Sequence, residues 1–532
     1  MKSDKKEDRT NKMIKSILFC LQLTQYVTAN KEKNFVRGPN HLKSAWPQDE
    51  IVFGLNLPWV FGEEKIGKIG KSGFNYPQYF ASAADVAVED INNNRRLLPK
   101  NKLKYLWRER ITDTQCDEMQ AIRGQIEQIR MGVHAFIGFV CNFESVTKNA
   151  AAINLPMISM DYNAMTKEES ATLATVSPLG TGVVSMIISL LRKFHWKKIA
   201  VVYEENKIWE PVYKTLKRQI SDSDEFKITL KTKYDIRDTY RYKDENLDHI
   251  FMPFLKELPS KARVVLLLCE KGYLRQFMLH VAKQGLDNGD YVYIAIHPFV
   301  SSPSLLRNVK ISKLVWSLPW RGTSQNGGPS EKLLLAQAYQ SLFVIQPQIH
   351  WLTKEQEKKY NRFKQQVKDR MSKPPFQNNL YLGLSKRVKP PVQAERLYNA
   401  IMMYALAMNK TIENYDSITN GTAIIENMKG MKFTGIDGSP LFVNPDGELQ
   451  PPYNVLQFQF KKKSMKNLAE KKNINNFSFS PTPIYKMTPI CHGVSCSSVT
   501  YKMESIKGAR ERWQLGSLPL DTPKCGFFNK KC

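Results

Sequence analysis

The most suggestive catalytic signal in the chain is Gly70-Lys71-Ser72, at the end of a glycine- and lysine-rich run that begins at Gly62. A phosphate-binding loop needs a glycine five residues before Gly70, so that bare backbone can wrap the phosphates, and Lys65 stands there instead. The run reads better as a loop that follows the first strand at the mouth of a cleft. Of eight histidines, His134, His195, His280 and His297 lie in or beside apolar segments. None has the His-Glu-x-x-His spacing that places two imidazoles on one helix face around a metal. No Gly-x-Ser-x-Gly elbow offers a serine nucleophile. Asp113, Asp117 and Glu118 surround Cys116 and could act as a carboxylate pair. Acidic residues that open a helix are already favoured by its dipole, however, and that is the simpler reading. These residues point to recognition rather than turnover, with no catalytic residue, metal or cofactor expected.

The cysteines carry more information. Cys20 sits in a short apolar run, Ser16 to Leu23, that follows a basic start and precedes Val27-Thr28-Ala29. This pattern reads as a secretory signal over 1–29. In an oxidising compartment Cys491 with Cys496, and Cys525 with Cys532, would close two small loops. Cys116 with Cys141 is the remaining bridge, and Cys269 is left over. A four-cysteine zinc site at the C-terminus is the competing reading, but spacings of four and six residues fit the usual two-to-four window poorly. Asn409, Asn420 and Asn476 begin Asn-x-Ser/Thr acceptor sequences for glycosylation, which need surface positions in an exported chain. No run of 18 apolar residues is present, so the chain itself offers no membrane span.

Lys and Arg number 78 against 50 Asp and Glu, a net charge of +28 that prompts a search for nucleic acid or other polyanions. The basic residues are scattered, with local clusters at 461–463 and 471–472, and no zinc-finger spacing, aromatic RNA signature or basic heptad accompanies them. Nucleic acid is therefore not an expected partner. The 532 residues, 42% hydrophobic and 24% charged, exclude a disordered or collagen-like chain.

Apolar runs alternate with helical periodicity from residue 50 onward, as in parallel sheets built from strand-helix-strand units. Strands are expected at 51–57, 103–107, 133–140, 156–160, 199–203, 264–268 and 291–295, separated by helices such as 118–131, 181–194 and 273–284. Two such series imply an α/β chain with two lobes. The expected lobes are 50–165 with 297–410, and 166–296 with 411–460. Beyond Lys461 the chain turns polar and lysine-rich, as a linker over 461–532 would.

Several segments, in order, resemble the ligand-binding region of atrial natriuretic factor receptors. They are Ala83 to Asn92 with Leu97-Leu98-Pro99, Asp113 to Asp117, Gly138 to Cys141, Leu155 to Ser159, Phe194 to Ala200, Leu397 to Ala407, Phe433 to Gly438 and Asn444 to Glu448. This region is the extracellular module of receptor guanylyl cyclases and natriuretic peptide receptors, and a more distant relation of metabotropic receptors. The resemblance runs from about Ile51 to Phe460. It implies a type I periplasmic-binding-protein-like clamshell, each lobe a parallel sheet flanked by helices, that closes or rotates on binding an extracellular peptide. It also implies a homodimer paired through the membrane-distal lobe.

Acidic and aromatic residues two positions after the cysteines of the family's first bridge contact the peptide, and Glu118 and Phe143 occupy those places. Val140 replaces the glycine that helps natriuretic receptors bind chloride, and Cys269 has no second-lobe partner, so the resemblance stops short at both points. Pro519 to Phe527 resembles the juxtamembrane stretch that leads into a transmembrane helix, a kinase-like domain and a cyclase domain. Because the chain stops at Cys532, it is expected to be an ectodomain without enzymatic activity, whose full-length form would be a guanylate cyclase. A secreted decoy is the alternative if the chain truly ends there. A small-molecule clamshell is another, with Ser145, Ser159, Asp161 and Tyr203 lining the cleft, because open α/β sheets bind ligands at the carboxyl ends of their strands.

Overall fold

A computed structural model of the chain describes residues 46–59, 77–141, 144–160, 171–177, 180–206, 209–234, 248–269, 271–296, 329–348, 353–376, 390–460, 479–493, 498–509, 511–513, 516–523 and 526–527. The chain passes between two lobes three times. Lobe one begins with β1 (Glu50–Asn56), α1 (Ala83–Asn93), β2 (Lys102–Leu106), α2 (Glu109–Thr112), α3 (Glu118–Arg130), β3 (Ala135–Gly138), α4 (Glu144–Ala152), β4 (Met157–Ser159) and β5 (Leu173–Thr175). Lobe two follows with α5 (Thr181–Lys193), β6 (Lys198–Glu204), α6 (Trp209–Ser221), β7 (Lys227–Tyr234), α7 (Asp248–Glu257), β8 (Val264–Leu268), α8 (Lys271–Lys283), β9 (Val292–Ile296), α9 (Pro329–Ala338) and β10 (Leu342–Pro347). The chain returns to lobe one for α10 (Lys354–Arg370), α11 (Val392–Glu413), α12 (Gly421–Met428), β11 (Lys432–Thr434), β12 (Pro440–Val443) and β13 (Leu449–Gln450). It ends in lobe two with β14 (Tyr453–Phe460), β15 (Phe479–His492) and β16 (Ser498–Ser505).

The first sheet has the order β2-β1-β3-β4-β5 and is wholly parallel. Its strands are buried on both faces, as parallel sheets are. Along β1, Ile51, Phe53 and Leu55 enter the core beneath α1 and α11, while Val52 enters the core beneath α3 and α4. The two-residue period of a strand divides these side chains between the faces. α11 buries Leu397, Ile401, Tyr404, Ala405 and Met408, a stripe with helical spacing that seats this 22-residue helix on α1.

The second sheet has the order β16-β15-β14-β10-β9-β8-β6-β7, parallel from β7 to β10 and antiparallel from β14 to β16. Both of its faces are covered: Val183, Ile187 and Leu190 of α5 pack on one, and Phe254 of α7 and Phe277 of α8 on the other.

The clamshell of two α/β lobes is as expected, but their boundaries are not where the sequence placed them. β5 stays with lobe one, β10 belongs to lobe two, and α12 to β13 return to lobe one. The segment 342–347 goes to lobe two because Phe343 and Ile345 are buried on one face of its sheet, and Leu342 and Val344 on the other. The expected linker at 461–532 contributes two full strands. Pro481, Pro483 and Pro489 disguise β15, since proline is rarely found within a ladder. The pairing nevertheless holds from Phe479 to His492, with a register irregularity at Val455/Leu456 on the partner strand.

Candidate functional site

All three crossings leave or enter the carboxyl ends of the parallel strands: β5 to α5, β10 to α10, and β13 to β14, which starts opposite Pro347. The carboxyl rims of both lobes therefore share the crossing side of the molecule, where open α/β sheets place their ligands.

On the lobe-one rim, Cys116 and Cys141 form a disulfide with their Cα atoms 5.5 Å apart, tying the entry of α3 to the loop after β3. The backbone around it is tightly turned, with positive φ at Gln115, Cys116 and Phe139. Gly138, at φ +121°, has no alternative, because a Cβ there would lie 2.2 Å from the Asn56 carbonyl oxygen. Asp113 anchors the loop by accepting from Trp59 N at 2.7 Å and Gln115 N at 3.0 Å, and Asp117 caps α3 through Gln120 N at 3.1 Å. Their carboxylates thus serve the backbone, Asp117 at the start of α3 and Asp113 in the loop before it. Glu118, the first residue of α3, is exposed and accepts from Ser145 N at 3.2 Å at the start of α4. One carboxylate therefore lies beside two helix N-termini, where the dipoles favour negative charge. Met119 (69% exposed) and Ile126 (43%) extend from it along α3.

The structure thus brings Glu118 and Ser145 together beside the disulfide. Ser159 lies at the end of β4, buried, and its hydroxyl donates to the Phe139 carbonyl at 3.1 Å. Tyr203 belongs to the other lobe, at the end of β6, where it stacks on Tyr213 with centroids 4.1 Å apart and burial raises its pKa. Phe143, Asp161, Asn476, Cys496, Cys525, Cys532, the 1–29 signal and the Gly62 to Gly73 run lie outside the described residues.

Cys491 is disulfide-bonded. Cys269 is buried and takes part in no disulfide. Asn409 sits within α11, where its carbonyl oxygen accepts from Leu98 N at 3.0 Å and its amide donates to Glu413 at 2.6 Å. Asn420 caps α12 through Ala423 N at 3.2 Å. His134 accepts from Val52 N at 3.1 Å, and burial lowers its pKa, so it serves the backbone of β1.

Two features escaped the sequence reading. The first is a buried carboxylate, Glu448, placed between the lobes beside Thr181 and Gly182 of α5. Its turn, Asn444 to Gly447, was legible, but its partner 267 residues away was not. The second is the C-terminal segment, which docks on lobe two through Trp513 against Phe343 (5.3 Å) and through Asp521. Among the described residues, no helix is long and apolar enough to cross a membrane.

Residues 80–461 match the receptor family ligand binding region. The chain is 24% identical over 482 residues to the receptor-type guanylate cyclase Gyc76C of Drosophila melanogaster, covering 85% of this chain and 29% of the relative. Atrial natriuretic peptide receptor 3 of Mus musculus is 24% identical over 385 residues, covering 70% of this chain and 63% of the receptor. The resact receptor of Arbacia punctulata is 23% identical over 282 residues, covering 52% of this chain and 27% of that receptor. The chain thus spans between about a quarter and just under two thirds of the length of these relatives.

Proposed function

The chain belongs to the receptor family ligand binding region, and on that premise we propose that it is the extracellular sensor of a guanylate cyclase-type receptor. Its ligand in this reading is a peptide held on the lobe-one rim beside the Cys116–Cys141 bridge. The observation that carries the choice of a peptide is the contrast between the candidate residues. Glu118 and its neighbour Met119 are exposed, a carboxylate beside an apolar side chain, which suits a basic, amphipathic segment. Ser159 and Tyr203, two of the four residues a small-molecule cleft would use, are buried and engaged within their own lobes. One relative is by name a natriuretic peptide receptor, which favours the same ligand class. The exposed Met119 and Ile126, seven residues apart on one helix face, give a second copy of the chain a surface to pair through, and such a pair would hold the peptide between its subunits.

Titration of the chain with a natriuretic-type peptide, wild type against Glu118→Ala, tests the site. Saturable binding weakened by the substitution supports it. Thermal stabilisation by free amino acids or metabolites, with no peptide response, replaces it with the small-molecule reading. Sequencing the transcript past the codon for Cys532 tests the signalling half. An apolar stretch of about 20 residues followed by kinase-like and cyclase domains is expected. A stop codon directly after Cys532 makes the chain a secreted ligand trap and removes cyclic GMP from its function.

A further inference from the structure

We propose that Glu448 is the positioning residue of the interlobe hinge: its carboxylate, planted in lobe one and bonded to the first amides of lobe two, sets the angle between the lobes. Its role in ligand response rests on the receptor reading above; its role in setting the angle does not.

The side chain is buried. Oε1 accepts from Thr181 N at 3.1 Å. Oε2 accepts from Gly182 N at 3.1 Å, Asn444 Nδ2 at 2.9 Å and Gln450 Nε2 at 3.2 Å. The Thr181 hydroxyl lies 3.2 Å from Oε2 and 2.5 Å from Asp446 Oδ2, and its single proton serves one of them. Thr181 and Gly182 open α5, so the carboxylate meets unpaired amides and the positive end of a helix dipole together. Asn444, which opens the β12–β13 turn, and Gln450, in β13, belong to lobe one. The bonds therefore join the first crossing to the third. Gln348 N donates to the Pro452 carbonyl at 2.6 Å and ties in the second.

The packing leaves little slack around this contact. A Cβ on Gly182 would fall 2.2 Å from the Gln450 side chain, and one on Gly447, at φ +78°, would fall 3.0 Å from the Leu173 carbonyl oxygen. Thr175 N also donates to the Gly447 carbonyl at 3.0 Å, clamping the turn to the end of β5. Rotation of lobe two would drag the α5 amides off Glu448. Removing the carboxylate strands four donors, and water can replace it only if the hinge opens.

The titratable groups facing Glu448 are Asp446 on the same turn, Tyr453 on β14 and Tyr501 on β16; Arg396 of α11 faces Tyr453. Burial first, and Asp446 second, push the Glu448 carboxyl up to about 7, against the bonds from Gly182, Thr181 and Asn444. An opened hinge wets the carboxyl and returns it toward its ordinary value. The latched state therefore binds the proton more tightly, gains as pH falls through about 7, and loses as pH rises.

Amide hydrogen exchange of the whole chain, without ligand, tests this at about pH 6 and about pH 8 after correction for intrinsic rates. Segments 176–184 and 444–454 are expected to exchange roughly threefold or more slowly at the lower pH, and Glu448→Gln to erase that difference. Asp446→Asn, on the turn surface, is expected to move the transition to lower pH, and it serves as the test if Glu448→Gln does not fold. A wild type without a pH difference in these segments overturns the proposal. So does a difference that survives in Glu448→Gln, or a transition that Asp446→Asn leaves in place. Since no ligand enters the experiment, its failure leaves the peptide reading standing, and failure of the peptide titration leaves this result standing.

Discussion

The indole Nε1 of Trp196 donates to the carbonyl of Pro519 at 2.9 Å, across 323 residues of sequence. Two residues further on, the Asp521 carboxylate accepts from Lys197 N at 2.6 Å and Lys198 N at 3.0 Å, at the start of β6. Upstream, the buried Gln457 amide both donates to and accepts from the Arg512 backbone. The described residues after β16 are therefore part of lobe two, and a displacement of that lobe carries residues 512–513 and 516–521 with it.

Asp521→Ala should release this segment. Two backbone amides lose a charged acceptor, at a cost of about 1–2 kcal/mol in local docking. Limited proteolysis is expected to cut beyond Ser505 in the variant earlier than in the wild type, with the melting of lobe one unchanged. Equal cutting rates would show that Trp196 and Trp513 hold the segment without Asp521.

The Cys116–Cys141 bridge closes a loop spanning 25 residues that contains all of α3. Loop closure of this length contributes about 3 kcal/mol through the unfolded state. A Cys116→Ser/Cys141→Ser variant should lose about that much in denaturant unfolding. Peptide binding should fall further than stability does, because the bridge also fixes the approach of α3 to α4. Loss of stability with full retention of binding would move the peptide site away from this rim.

Most strands and helices of lobes one and two were legible because their apolar residues follow a period of two or 3.6 without competition. β8, Val264–Leu268, matches the sequence reading residue for residue. β7 was missed because its burial is slight and its lysines alternate along an edge. β10 was hidden in a basic, irregular stretch, and β15 by its three prolines. The order of strands within each sheet follows from local connections, but the assignment of 342–347 and 421–450 to lobes depends on long-range packing that no periodicity encodes. The rim was legible only through spacing from the cysteines. Glu118 could be named that way, and its partner Ser145 only as a polar residue of a small-molecule cleft, whereas Glu448 with Thr181 had no local signal on either side.

Glu118→Gln preserves the shape of the rim and removes its charge. The bond to Ser145 N can persist through the amide oxygen, so stability should change by less than about 1 kcal/mol. Binding of a basic peptide should weaken roughly tenfold, about 1.4 kcal/mol, and should lose part of its salt dependence. Calorimetric titrations at two ionic strengths check this. An unchanged affinity and salt slope would assign the charge recognition to other residues.

Glu395 of α11 supplies a pH test within lobe one. It accepts from the Tyr360 hydroxyl of α10, and burial, then Asp437, push its carboxyl up to about 8, against Tyr360, Arg396 and Lys364. A carboxyl raised in the folded state binds its proton more tightly there than in the unfolded chain. Its contribution is therefore most favourable below about pH 4.5 and is lost as pH rises toward 8. Glu395 is only half-buried as a residue, which limits the effect to about 1–2 kcal/mol. Glu395→Gln removes the ionisation while keeping the oxygen that receives the Tyr360 proton. The variant should unfold at higher denaturant than the wild type at pH 8 to 9 and match it near pH 5. A constant difference across that range would mean that Glu395 acts through packing alone, and a variant destabilised only at high pH would reverse the sign of its electrostatic role.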